Sequence, residues 1–230
     1  MSSILFATTP SQVFFAQDTL GYREGGERFT FGSKTLYLPH LRLIIASTGK
    51  HGFAELWYQQ INSGFLVRDI DDLDKIAPMM LSALWKSFET LNGVDEDSRQ
   101  TIYHFGLSSE TGEVKIHVYQ SGDDWKSHSW PAGSSGGNPP YSSENFKTVP
   151  DDFVKIMYEQ RDAMARLPPE KRVEIGGEIQ VFELNSNGVF ASYCIHRFPD
   201  YDEDWRQMND NRMRDMMAAV ALNQIRMGAV

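Results

Sequence analysis

The chain has 230 residues, of which 41% are hydrophobic and 12% aromatic, a composition that excludes an intrinsically disordered protein. Its net charge of −9 is accompanied by no dense Lys/Arg cluster, so we expect no nucleic-acid partner. No apolar stretch reaches the roughly 18–20 residues that cross a bilayer, and the single cysteine offers no disulfide framework. Because the N-terminus lacks the basic leader and cleavage site of a secretory signal, we expect a cytoplasmic protein without a membrane partner.

Hydrophobic periodicity predicts strands followed by a pair of helices in the first half of the chain. The predicted elements are strands at 3–9, 12–18, 29–39 and 41–48 and helices at 51–65 and 69–92. The first two strands form a hairpin with a proline in its turn, and the polar segment 21–28 is predicted to be a loop. Pro78 lies inside the second helical segment, so the regular helix is expected to begin near it or to be kinked there.

The second half alternates strand hairpins with single helices. The predicted elements are strands at 99–108, 112–121 and 124–132, a loop at 133–143, a helix at 149–167, a hairpin at 177–196 and a last helix that ends near 226. Parallel βαβ folds alternate one strand with one helix, whereas this order favours antiparallel sheets covered by helices. We therefore predict a single α+β domain over 1–230, built as a four-layer αββα sandwich.

Three residues near the N-terminus have a characteristic spacing. Ser2 follows the initiator methionine, Asp18 closes the predicted hairpin, and Lys34 lies in the segment FGSKTLYLP. Counted from Ser2, the aspartate lies sixteen residues on and the lysine thirty-two residues on. This spacing resembles that of the N-terminal nucleophile (Ntn) hydrolases, in particular proteasome β-subunits and the bacterial proteasome-like peptidase.

The resemblance implies a hydrolase of the threonine-peptidase type with serine as the nucleophile, acting on a peptide or a small amide. After removal of Met1, the α-amine of Ser2 would serve as the general base for its own hydroxyl. The ammonium group of Lys34 would lower the pKa of that amine, and Asp18 would hold the lysine in place. The family also implies that no cofactor or metal is needed and that the protein forms a homo-oligomer, of which a ring is one form.

Further residues acquire roles through the same resemblance. A backbone N–H of the turn at Thr48 and Gly49 would stabilise the oxyanion. Ser134 or Ser135 would hydrogen-bond near the terminal amine, although a plain flexible loop explains them equally well. Glu174 lies close to the late glycine pair, where the family places groups that support the amine.

Several positions depart from the family pattern. Arg172 and Ile175 occupy the places where the family has an aspartate and a serine, and Thr48 occupies that of the oxyanion glycine. If Met1 is retained, Ser2 has no free amine. A catalytically inactive assembly or structural protein with the same fold is therefore the alternative hypothesis.

Other motifs predict less. The segment 133–137 matches the G-x-S-x-G nucleophile elbow, with His196 downstream, but the Asn-Pro-Pro that follows it cannot open the required helix. The acidic runs DIDDLD and DYDEDW lack the glycine and spacing of an EF-hand loop, and both precede helices, where acids favour the N-terminus. The six histidines show no ligand-like spacing, so no metal site is predicted.

Overall fold

The computed structural model describes residues 3–22, 27–64, 66–94, 98–141, 148–168 and 171–228, with side chains described up to residue 217. Within these ranges the chain is an α+β protein with three antiparallel sheets and four α-helices. The helices are α1 (Phe53–Gly64), α2 (Ile70–Asn92), α3 (Asp151–Ala165) and α4 (Tyr201–Gly228). The described helices include no segment long and apolar enough to cross a membrane.

Twelve strands make up the described sheets. They are β1 (Ile4–Thr9), β2 (Gln12–Asp18), β3 (Leu20–Tyr22), β4 (Arg28–Phe31), β5 (Thr35–Leu38), β6 (Leu43–Thr48), β7 (Thr101–Leu107), β8 (Val114–Gln120), β9 (His128–Trp130), β10 (Ser135–Asn138), β11 (Glu178–Asn185) and β12 (Phe190–Arg197). The N-terminal sheet has the order β10-β1-β2-β11-β12, and the second large sheet has the order β5-β6-β7-β8-β9. The strands β3 and β4 form a small sheet of their own.

The predicted N-terminal hairpin is confirmed. Strands β1 and β2 pair from Ile4 opposite Gln17 to Thr9 opposite Gln12. The hairpin occupies the interior of its sheet, because β10 pairs with the free side of β1 and β11 with the free side of β2. The start of β1 is therefore flanked by strands on both sides.

Apolar side chains fill three buried clusters around the two large sheets. Phe6 and Phe15 of the N-terminal sheet meet Phe105 of the second sheet, with ring centroids 5.2 and 5.3 Å apart, so these two sheets pack against each other. The helices α1 and α2 pack on the other side of the second sheet, where Trp57 is fully buried. On the N-terminal sheet, Leu5 packs against side chains of α3.

Several element boundaries differ from the predictions, and of the predicted strand 124–132 only β9 is a strand. The helix α2 begins at Ile70 and continues through Pro78, and Asp69 caps it by accepting hydrogen bonds from two backbone N–H groups of its first turn. The predicted loop 133–143 contains the strand β10. The first residues of the predicted loop 21–28 belong to β3 and its last residue belongs to β4, while 23–26 lies outside the described residues.

Candidate functional site

Asp18, the last residue of β2, has a fully buried side chain that three donors contact. Its Oδ1 accepts hydrogen bonds from the backbone N–H of Ser3 and from the Lys34 ammonium group, each at 2.9 Å. Its Oδ2 accepts a hydrogen bond from the backbone N–H of Gly176 at 3.3 Å. Because a buried carboxylate is stable only when it is paired and hydrogen-bonded, these donors account for the charge at this position.

Lys34 immediately precedes β5, and its side chain is 18% exposed. Its two neighbours in the chain are fixed by Gln17, whose side-chain amide donates to Ser33 Oγ at 3.1 Å and accepts from Thr35 Oγ1 at 2.6 Å. Gln17 is itself fully buried beside Asp18 on β2. The strand that carries the aspartate therefore also holds the side chains of the residues on both sides of the lysine.

The start of β1 is held against the same strand. The backbone N–H of Ser3 donates to the Asp18 carboxylate, and the backbone N–H of Asp18 donates to the carbonyl of Ser3 at 3.2 Å. The Ser3 hydroxyl donates to Gln160 Oε1 of α3 at 2.6 Å. Ser2, the predicted nucleophile, lies outside the described residues; the structure instead locates the anchoring of the residue that follows it.

Thr48 ends the neighbouring strand β6, and Gly49 directly follows it. Because Thr35 of β5 pairs with Ala46 of β6, the residues just before β5 and those that end β6 lie at the same end of this strand pair. Gly49 has φ +127°, and a Cβ there would lie 2.5 Å from the backbone carbonyl oxygen of Arg99, so only glycine fits this turn.

Thr48 also takes part in a buried hydrogen bond. Burial raises the pKa of Tyr103 to about 12, and a hydrogen bond with the Thr48 side chain opposes this shift.

The structure does not bring Ser134 and Ser135 to the Asp18–Lys34 pair. The strands β10 and β1 pair with Ser135 opposite Ala7, and the carbonyl of Ser134 accepts from the backbone N–H and the hydroxyl of Thr8. Both serines thus lie near the far end of β1 from Ser3.

The nucleophile-elbow pattern also finds no support, because Ser135 begins a strand and not a helix.

Glu174 lies in the segment that leads to β11. Burial raises the pKa of Tyr22, and a backbone hydrogen bond with Glu174 opposes this shift. The segment reaches the aspartate through the backbone of Gly176, not through the side chains of Arg172 or Ile175: Arg172 donates to the carbonyl of Leu167. Among the described residues, no group of three or more His, Cys, Asp or Glu side chains is arranged to hold a metal ion.

A second buried carboxyl group, that of Asp204, lies close to Gly176. Asp204 of α4 has a fully buried side chain, and its Oδ2 is 3.6 Å from the position that a Cβ on Gly176 would take. Arg28 Nη1 lies 2.8 Å from Oδ1, but neither oxygen has a hydrogen-bond partner of good geometry among the described residues. Burial outweighs the attraction of Arg28 and raises the pKa of Asp204 to about 6.

Sequence reasoning found Asp18 and Lys34 but missed Gln17 and Gln160. Both glutamines are buried, and each contacts its partners through a side-chain amide to which the sequence analysis assigned no role. The one available signal was Gln160 itself, a polar residue in line with the apolar positions of a predicted amphipathic helix.

Comparisons with known proteins show a likeness in fold alone. No family model matches the chain, and no curated protein matches its sequence. Among solved structures, Anbu (ancestral beta-subunit) from Yersinia bercovieri superposes with a TM-score of 0.59 at 10% identity over 95% of this chain and 96% of that one. An Anbu (Gly-1) mutant from Hyphomicrobium sp. strain MC1 also has a TM-score of 0.59, at 9% identity over 96% of this chain and 100% of that one.

These findings correct the family assignment made from the sequence. The assignment to the Ntn hydrolases, based on a resemblance to proteasome β-subunits and the bacterial proteasome-like peptidase, was wrong, because no family model supports it and the two structures described above are Anbu proteins at 9–10% identity. What the comparisons support is a likeness in fold to these two Anbu structures.

Proposed function

We propose that this chain hydrolyses an amide bond, with the hydroxyl of Ser2 as nucleophile once Met1 has been removed. One observation carries the proposal: the buried Asp18 carboxylate binds both the backbone N–H of Ser3 and the ammonium group of Lys34, each at 2.9 Å. A fixed cation thus stands beside the start of β1. Such a cation would assist an N-terminal hydroxyl residue, because a nearby positive charge lowers the pKa of the α-amine.

The chemistry follows from the groups assembled there. The free α-amine of Ser2, with an ordinary pKa of about 8, takes the proton of its own hydroxyl as Oγ attacks the carbonyl carbon. The amine then passes that proton to the leaving nitrogen, and the C–N bond breaks to leave an ester on Ser2. Water, deprotonated by the same amine, hydrolyses the ester and restores the hydroxyl. In this proposal, a backbone N–H at Thr48 or Gly49 stabilises the oxyanion in both steps.

The proposal extends to architecture and assembly. We interpret the three buried clusters as the interfaces of a four-layer αββα sandwich that forms one domain over 1–230. We further propose a cytoplasmic homo-oligomer, a ring being one form, that acts on a peptide or a small amide. Light scattering of the purified protein at several concentrations tests the assembly, and a mass equal to one chain at all of them contradicts it.

Intact-mass spectrometry after treatment with a serine-acylating β-lactone tests the reaction. We expect wild-type protein to lack Met1 and to gain the mass of one probe, and we expect Ser2→Ala to gain none. Ser11→Ala is the matched control, since Ser11 is exposed in the turn between β1 and β2 and should not affect labelling. Retention of Met1 together with no labelling would instead favour the non-catalytic assembly protein.

A further inference from the structure

A glutamine occupies a position on α3 where an apolar residue is expected. The buried face of α3 consists of Phe153, Ile156, Met157 and Gln160, and these positions follow the i, i+3, i+4, i+7 spacing of an amphipathic helix. Gln160 is 1% exposed. Because burying an amide is unfavourable unless its hydrogen bonds are made, the partners of this side chain determine why it is tolerated there.

Both ends of the Gln160 amide have partners on other segments. Its Oε1 accepts from the Ser3 hydroxyl at 2.6 Å, and its Nε2 donates to the carbonyl of Pro139. Ser3 precedes β1, and Pro139 follows the strand β10 that pairs with β1 through Ile4 and Asn138. One amide on α3 thus joins the start of β1 to the end of the neighbouring strand.

We propose that Gln160 is a positioning residue that fixes Ser3, and through it the amine and hydroxyl of Ser2, in the orientation that the reaction requires. The inference rests on the function proposed above. Asp18 already holds the backbone N–H and carbonyl of Ser3, so the Gln160 contact fixes the one polar group of this residue that Asp18 leaves free. With all three groups held, the backbone at residue 3 cannot rotate without breaking a buried hydrogen bond.

The test compares Gln160→Met, which keeps the length of the side chain but has no amide, with Ile156→Val. Ile156 is fully buried on the same helix and has no polar side-chain atom, so this control weakens the packing of α3 while leaving the side-chain hydrogen bonds intact. The first measurement is amide hydrogen exchange by NMR. In Gln160→Met we expect the Ser3 N–H to exchange about tenfold faster than in the control, with the amides of β2 from Gln12 to Gln17 unchanged.

The second measurement is the rate of β-lactone acylation at Ser2 as a function of pH. We expect Gln160→Met to slow labelling about tenfold and to move its pH midpoint, whereas Ile156→Val does neither. Ser3→Ala removes the other half of the contact, so its combination with Gln160→Met should slow labelling no more than either change alone.

The outcomes separate the two proposals. Unchanged Ser3 exchange in Gln160→Met, or labelling equal to that of Ile156→Val, overturns the positioning role. If wild-type protein is not labelled, the proposed function fails and the catalytic meaning of Gln160 fails with it. In that case the Ser3 N–H still exchanges faster in Gln160→Met than in the control, but neither wild type nor Gln160→Met is labelled.

Discussion

Replacing Lys34 by methionine tests the pair on which the proposed function depends. The substitution keeps an unbranched side chain that is one atom shorter and removes the charge, so the fully buried Asp18 carboxylate loses its only ion-pair partner within the described part of the chain. The N–H groups of Ser3 and Gly176 remain as its donors. The variant therefore isolates the contribution of the ammonium group from that of the backbone.

The expected loss of stability is large. Removing one partner of a buried ion pair destabilises a protein by about 3–5 kcal/mol, because it leaves an uncompensated charge. Two backbone donors stay in place and the lysine is 18% exposed, so we expect the lower end, about 3 kcal/mol. This is a substantial part of the roughly 5–15 kcal/mol that stabilises a typical domain.

A double variant distinguishes charge from shape. In Asp18→Asn/Lys34→Met the buried group is neutral, so we expect the double variant to regain about 2 kcal/mol of the stability that Lys34→Met loses. Ser2 should not be labelled in either variant, because both lack the ammonium group. Urea unfolding followed by tryptophan fluorescence measures the stability, and β-lactone labelling measures the reactivity. A loss below about 1 kcal/mol in the single variant, with no recovery in the double variant, would refute a buried pair at this position.

Three further predictions concern residues around the site, each measured by urea unfolding. Gly49→Ala should destabilise by about 2 kcal/mol or more, since φ is +127° and the new Cβ would lie 2.5 Å from the backbone carbonyl oxygen of Arg99; an unchanged midpoint contradicts this. Asp69→Ala should lose about 1–2 kcal/mol, because the side chain caps α2 and also accepts from the backbone N–H of Ser109 at 2.8 Å; a loss no larger than that of an exposed substitution on the same helix, such as Lys86→Ala, argues against the cap. Burial raises the pKa of Asp204 to about 6, so the folded protein keeps this carboxyl protonated to a higher pH than the unfolded chain does. The free energy of unfolding of the wild type should therefore fall by up to about 3 kcal/mol as the pH rises from about 4 to above 6. Asp204→Asn should lack that loss, and parallel pH profiles of the two proteins would exclude it.

The sequence predicted the N-terminal hairpin because its signals are local. Strand periodicity and a proline turn lie within 3–18, and Asp18 closes the second strand, so its position needed no long-range information. The strand β10 was missed for a physical reason. A Cβ on Gly136 would lie 2.5 Å from the Phe6 ring, and one on Gly137 would lie 2.6 Å from Leu5 Cδ2. This strand is glycine-rich because β1 packs tightly against it, and a glycine-rich segment carries no hydrophobic periodicity.

The arrangement around Ser3 shows why spacing alone overreached in assigning a family. Its contacts come from β2, from α3 and, through Asp18, from Lys34 and the backbone of Gly176. The spacing of Ser2, Asp18 and Lys34 includes only part of this set, and the buried amide that holds the Ser3 hydroxyl lies 157 positions further along the chain. Since the backbone topology fixes which segments meet but the side chains determine the chemistry there, a protein of similar fold at 10% identity need not share the contacts that fix residue 3. The chemistry at the start of β1 therefore has to be established on this chain, through substitutions of the groups that hold Ser3 in place.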